Sequence, residues 1–168
     1  MYAGHLGVAL AAKGLRREEH LATLIMASIA TDLVVAGFDL GGVDIPAGFA
    51  PHSVPGTLAL GLILGAIVFA FTRSGRRAVF VGLVVLSHTL VDYITSYLPT
   101  WPGGPRAGLF LYRFPIVDLV IECAVIFAGW WVYRRGLVPK VRNSWATWAM
   151  LTVLLACQAL FAKILAGA

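Results

Sequence analysis

At 168 residues the chain can build one helical bundle, but not a bundle with a separate soluble domain. Its residues are 60% hydrophobic and 12% charged, about half the charge of an ordinary soluble domain, which excludes that class and leaves a polytopic membrane protein. The formal charge of +5 sits mostly in short loops, so it bears on membrane orientation rather than on nucleic-acid binding.

Six apolar segments follow in chain order. Residues 3–13 are too short to span and are expected as a half-inserted helix packed on the others. No basic region precedes them and His5 interrupts the run, so a cleaved signal peptide is not expected. Leu21–Phe38 is expected to span, interrupted only by Asp32. Ser53–Thr72 is the third segment, with Ser53 as N-cap and Pro55 in the first turn. Ala78–Leu98, Phe114–Tyr133 and Ser144–Ala166 complete the set.

The predicted fold is therefore a single all-α membrane domain of five spanning helices plus a short N-terminal half-helix. Residues 1–135 carry the polar candidates, and residues 144–166 read as a scaffold helix. Gly61 and Gly65 form a small-xxx-small face suited to close helix packing. Tyr93, Tyr97 and Trp101 near one helix end, and Trp130, Trp131 and Tyr133 near another, read as interfacial aromatic belts. Cys123 and Cys157 lie in different apolar segments with no paired spacing, so neither a disulfide framework nor a thiolate zinc motif is expected.

Basic residues set the orientation. Lys13, Arg16 and Arg17, then Arg73, Arg76 and Arg77, then Arg134, Arg135, Lys140 and Arg142 occupy alternate loops. The positive-inside rule puts these loops in the cytoplasm. Both termini then face outward, with His5 near the outer surface. Counting 1.5 Å per residue from the outer helix ends places Asp118 about 6 Å deep, Asp32 and Asp92 about 9 Å, Glu122 about 12 Å and His88 about 15 Å. His52 stands at the outer mouth of the third segment. Seven polar candidates thus share one leaflet.

Two spacings point to chemistry. His88-Thr-Leu-Val-Asp92 and Asp118-Leu-Val-Ile-Glu122 each place two ligand-type side chains on one helix face. An ionisable group in a span costs roughly 2.5–3.5 kcal/mol on insertion scales. No Lys or Arg at matching depth neutralises these carboxylates, which favours a metal cation over a buried salt-bridge network. Three histidines and four carboxylates, His5, Asp32, His52, His88, Asp92, Asp118 and Glu122, suit zinc or manganese, as one ion or two. Taken alone, His5 reads as an interhelical hydrogen-bond partner and His52 equally as a loop residue. His20, Asp39 and Asp44 read as solvated. The Trp101-Pro-Gly-Gly-Pro-Arg106 turn cluster is no phosphate loop, since no strand or Gly-Lys-Ser/Thr accompanies it. Arg106 and Arg113 are the outer cations, suited to a phosphate headgroup or to simple lipid anchoring.

Gly4-His5-Leu-Gly, Asp32-Leu33 at a helix end, Pro51-His52-Ser53 and Ser87-His88-Thr-Leu-Val-Asp92 resemble the LexA-regulated (YdjM-like) inner-membrane metal-dependent hydrolases over roughly residues 2–135. The Ser-His-x-x-x-Asp element is the most specific part. The resemblance extends distantly to zinc-dependent phospholipases C, where His88/Asp92 matches one ligand helix and Asp118/Glu122 falls where a His-x-x-x-Glu helix belongs. Val34 stands where that family often has a second acid, and the histidine-rich motif before the third helix is reduced to His52-Ser53.

The resemblance and the ligand set together imply a membrane metallohydrolase of a prokaryotic cytoplasmic membrane, its site open to the outer leaflet. The substrate would be a phospholipid or lipid phosphate ester. Glu122 or Asp118 would act as general base and Arg106 or Arg113 would steady the headgroup. The alternatives are a divalent metal transporter, a haem-binding electron carrier, and a non-catalytic subunit with a buried ionic network.

Overall fold

The computed structural model describes residues 3–45 and 50–166; residues 46–49, within the loop free of Lys and Arg, lie outside that description. The chain is all-α. Its helices are α1 (Gly4–Leu15), α2 (Leu21–Ser28), α3 (Ala30–Leu40), α4 (Val54–Thr72), α5 (Gly75–Thr95), α6 (Pro115–Gly136), α7 (Pro139–Arg142) and α8 (Trp145–Ala166). Between α5 and α6 run an antiparallel hairpin, β1 (Leu98–Pro99) with β2 (Arg106–Ala107), and a 3-10 turn at Leu111–Arg113. Helices α4, α5, α6 and α8 are long and apolar enough to cross a membrane. The second expected span is not one straight helix: α2 and α3 meet at a 65° bend, and count as a fifth span only if the bent pair is taken together.

The chain divides into two compact units, Met1–Ile25 with Leu111–Ala168, and Met26–Phe110. In the first, α1 lies against α6 through glycines. Gly7 abuts the backbone of Val125 and Ile126, Gly14 abuts Val132 and Tyr133, and Gly136 meets Gly14. Residue numbers rise together along both helices, so they run parallel. A Cβ on Gly129 would overlap the Gly7 carbonyl oxygen. Only glycine allows the two backbones so close, and that proximity gives extensive van der Waals contact in place of a hydrophobic driving force. Helix α8 closes the unit with a core of Ala3, Leu10, Ile126, Trp130 and Leu151. The buried Ala3 N–H donates to Gln158 Oε1 at 3.1 Å, and Trp130 Nε1 donates to the Thr147 carbonyl at 2.7 Å.

His5 lies in the first turn of α1, the end of that helix where the sequence places it. Extrapolated from the Gly7 and Gly14 contacts, it stands level with the stretch around Glu122, about 12 Å along α6 from Pro115. The short first helix runs beside the second half of α6.

In the second unit α4 and α5 are antiparallel. Gly61 packs on the Gly82 backbone and Gly65 on the Ala78 carbonyl, as the small-residue spacing predicts. Thr57 and Thr89 share a buried hydroxyl–hydroxyl hydrogen bond between the two helices. Helix α5 starts three residues earlier than its apolar run because Ser74 caps it, its Oγ accepting the Arg77 N–H at 3.4 Å. It ends at Thr95, so Asp92 lies within its last turn. The Trp101–Pro105 turn cluster forms the hairpin tip.

Replacing Gly129 by alanine is expected to destabilise the detergent-solubilised protein by about 1–3 kcal/mol through overpacking. Gly37→Ala, where a Cβ meets open space, should leave the melting temperature unchanged or slightly raised. Thermal unfolding followed by circular dichroism checks both; equal melting temperatures for the two variants would contradict the glycine contact.

Candidate metal centre

Four of the sequence candidates converge in the second unit. Asp32 comes from the first turn of α3, where a helix N-terminus favours a carboxylate. The sequence comparison had placed it at a helix end; the break at Ile29 instead puts it just after a helix start. His52 immediately precedes the Ser53 cap of α4, and His88 and Asp92 share one face of α5.

The donor atoms are close and alternate in type. His52 Nε2 is 3.1 Å from Asp32 Oδ1 and 3.7 Å from Asp92 Oδ2. His88 Nε2 is 3.5 Å from the same Asp32 oxygen and 3.1 Å from the same Asp92 oxygen. Ligands at zinc bond lengths of about 2.0–2.1 Å on a tetrahedron stand about 3.3 Å apart. The four nitrogen–oxygen separations bracket that edge, and the donor atoms of Asp32, His52 and His88 all lie within 4.8 Å of one another, a group that could hold one small cation. Two carboxylates and a divalent ion also sum to zero charge, which suits a low-dielectric span.

Each donor is aimed by its local structure. His88 Nδ1 lies 2.8 Å from the Ser28 carbonyl, which can only accept, so Nδ1 carries a proton and Nε2 is the nitrogen turned to the aspartates. Inside a continuous helix the Ser28 carbonyl would accept the Asp32 N–H. At the break between α2 and α3 it instead faces the imidazole. His52 is held through its neighbours. Ser53 Oγ accepts the Gly56 N–H at 3.2 Å and donates to the Ala50 carbonyl at 2.6 Å, and Thr57 Oγ1 donates to the Pro51 carbonyl at 3.0 Å. Burial is graded: the side chains of His88 and Asp92 are 0% and 5% exposed, while those of His52 and Asp32 are 23% and 48% exposed. The cluster opens on its Asp32 side.

The remaining candidates are carried by other elements. His5, Asp118 and Glu122 belong to the first unit, all three buried, on α1 and α6. Asp118 Oδ1 accepts no hydrogen bond among the described residues. Arg106 is exposed on β2, in a hairpin tied to the start of α4 by the Val54 N–H, which donates to the Thr100 carbonyl at 3.0 Å. Arg113 is exposed on the 3-10 turn of the first unit. His20, Asp39 and Asp44 are exposed, as expected of solvated residues.

Sequence reasoning missed the Ser28 carbonyl and the Thr57–Thr89 bond. A backbone carbonyl carries no residue signature, and Ser28 sits in an apolar run with no Gly or Pro to mark the break. Comparison with protein-family models, curated proteins and solved structures gives no match, so geometry alone carries the functional argument.

Zinc reconstitution followed by elemental analysis should give about one ion per second-unit site, lost in a His88→Ala/Asp92→Ala double variant. Imidazoles ligate only when neutral, so affinity should fall as pH is lowered and protons compete for the same lone pairs. Zinc retained in the double variant, or affinity that rises on acidification, would contradict the assignment.

Proposed function

We propose that this chain is a membrane-embedded, metal-dependent hydrolase acting on a phospholipid or lipid phosphate ester. The observation that supports it most directly is the approach of the His52 and His88 Nε2 atoms to the Asp32 and Asp92 carboxylates at 3.1–3.7 Å, with Asp32, His52 and His88 grouped closely enough to hold an ion and one side open. The resemblance of Ser87-His88-x-x-x-Asp92 to the inner-membrane metal-dependent hydrolases agrees with that reading.

In this proposal His52, His88 and Asp92, the more buried donors, hold the ion, with zinc preferred and manganese the alternative. A divalent cation there would polarise a phosphoryl oxygen and bring the pKa of a water towards neutrality. Asp32, half exposed, is the carboxylate best placed to take a proton from that water, a role the sequence alone assigned to Glu122 or Asp118. The Ser28 carbonyl keeps the His88 tautomer fixed through the cycle. Arg106, on the hairpin tied to α4, supplies a bidentate cation for a headgroup phosphate. The Arg73–Arg77 stretch lies at the opposite end of α5 from Asp92, which by the positive-inside rule supports a cluster open to the outer leaflet, in keeping with the proposed cytoplasmic-membrane setting of a prokaryote.

A transporter would need a polar path beyond the cluster. Further along α5 from His88 come Val85, Val84 and Val81, all buried and none of them an ion ligand, which supports hydrolysis over conduction.

Headgroup or phosphate release from phospholipid–detergent micelles, measured after zinc loading, tests the proposal. His88→Ala should abolish turnover with the protein still inserted. Asp32→Asn should keep metal and lower kcat by about 10²–10⁴-fold. Full activity in either variant, or zinc flux into proteoliposomes without hydrolysis, would remove the hydrolase reading.

A further inference from the structure

The loop joining α6 to α8 carries a second, unrelated constellation in the first unit. From Cys123 to Ala168 the chain has no Asp or Glu, yet it holds Arg134, Arg135, Lys140, Arg142 and Lys163. Four of these cations fall within nine residues at one end of α6, where no carboxylate of their own segment balances them.

The cations are set on a platform of indoles. The Arg134 guanidinium lies 5.1 Å from the Trp148 ring centroid, 5.5 Å from Trp130 and 6.0 Å from Trp131. The Arg135 guanidinium lies 4.9 Å from Trp131. Trp130 and Trp148 contact each other at 4.7 Å, and Trp130 is fully buried with its N–H bonded to the Thr147 carbonyl. The platform is therefore rigid. Arg134 Nε donates to the Arg142 carbonyl at 3.1 Å and Nη2 contacts Asn143 Oδ1 at 3.4 Å, which fixes the loop over the rings. Arginine has five N–H donors, so three of Arg134 remain to be used, and Arg135 and Arg142 make no side-chain hydrogen bond among the described residues. Around this site Val138, Val141 and Trp145 are exposed, in the connection between α6 and α8 and at the start of α8, two helices long and apolar enough to cross a membrane.

We propose that this corner binds the phosphate headgroup of an anionic phospholipid, with Arg134, Arg135, Lys140 and Arg142 as its cationic contacts and Trp131 and Trp145 against the glycerol and upper acyl region. Charge complementarity selects the headgroup, since stacked guanidinium groups present forked donors that match a phosphate. The exposed indoles and valines require the other end of the ligand to be apolar, which a free phosphate is not. The site does not depend on the metal cluster, which belongs to the other unit.

The test uses the full chain, delipidated in a zwitterionic detergent, with tryptophan fluorescence read during titration with short-chain phosphatidylglycerol. Arg135→Gln/Lys140→Gln/Arg142→Gln is compared with Arg73→Gln/Arg76→Gln/Arg77→Gln, which removes the same charge from a loop without tryptophan. Arg134→Lys, which keeps the charge and loses the fork, is a third variant. The first triple should raise the half-saturating lipid concentration at least about tenfold, and the second less than about twofold. Arg134→Lys should weaken binding at unchanged net charge. Equal losses in both triples would show general surface attraction and overturn the site. Equal binding of phosphatidylcholine, or displacement by inorganic phosphate at the same concentration as the lipid, would overturn the anionic-lipid assignment.

Discussion

Two aspartates facing two imidazoles inside an apolar helical unit impose a charge constraint that the surrounding structure is arranged to meet. Each ionised group in such a span costs roughly 2.5–3.5 kcal/mol on insertion scales, so the Asp32–His52–His88–Asp92 cluster is stable only with a compensating positive charge. Protons on the imidazoles or a shared divalent ion could supply it. The Ser28 carbonyl takes the Nδ1 proton of His88 and turns the other nitrogen to the carboxylates, where the donor separations would also suit an ion.

Several departures from regular helix serve that cluster. The break at Ile29 interrupts a span that would otherwise satisfy all its own backbone groups. It turns the Ser28 carbonyl to His88 and gives a new helix start beneath Asp32, where the local dipole favours a carboxylate. The Ser53 cap and the Thr57 hydroxyl pin the Ala50–Ser53 stretch, so a histidine outside any helix is still held in place. The bond between Thr57 and Thr89 ties the register of α4 to that of α5, and with it the position of His52 to that of His88. Buried polar groups that all find partners in this way give orientation more than net stability.

The first unit solves a different problem. With lipid as apolar as leucine, helix association gains little from burial, and close backbone approach takes over. Gly7, Gly14, Gly129 and Gly136 let α1 lie along α6 despite its twelve residues. Between α6 and α8, by contrast, indole rings and guanidinium groups are the packing elements, with Arg134 over Trp130 and Trp148.

Composition and periodicity determined much of this protein directly. Apolar run lengths specify the four long helices, the small-residue spacing specifies how α4 meets α5, and Ser53 with Pro55 marks a helix start. The i, i+4 rule places His88 and Asp92 on one face without reference to any other part of the chain. These signals are local, carried by side-chain type at fixed spacing. Tertiary structure alone decided that Asp32 and His52, twenty residues apart, share the face of that pair, and that a backbone carbonyl sets the tautomer. It also decided that α2 and α3 are separate helices and that His5 stands beside the middle of α6. Those features arise from packing between helices and from a main-chain group at a helix break, and neither leaves a mark on the sequence of the segment concerned.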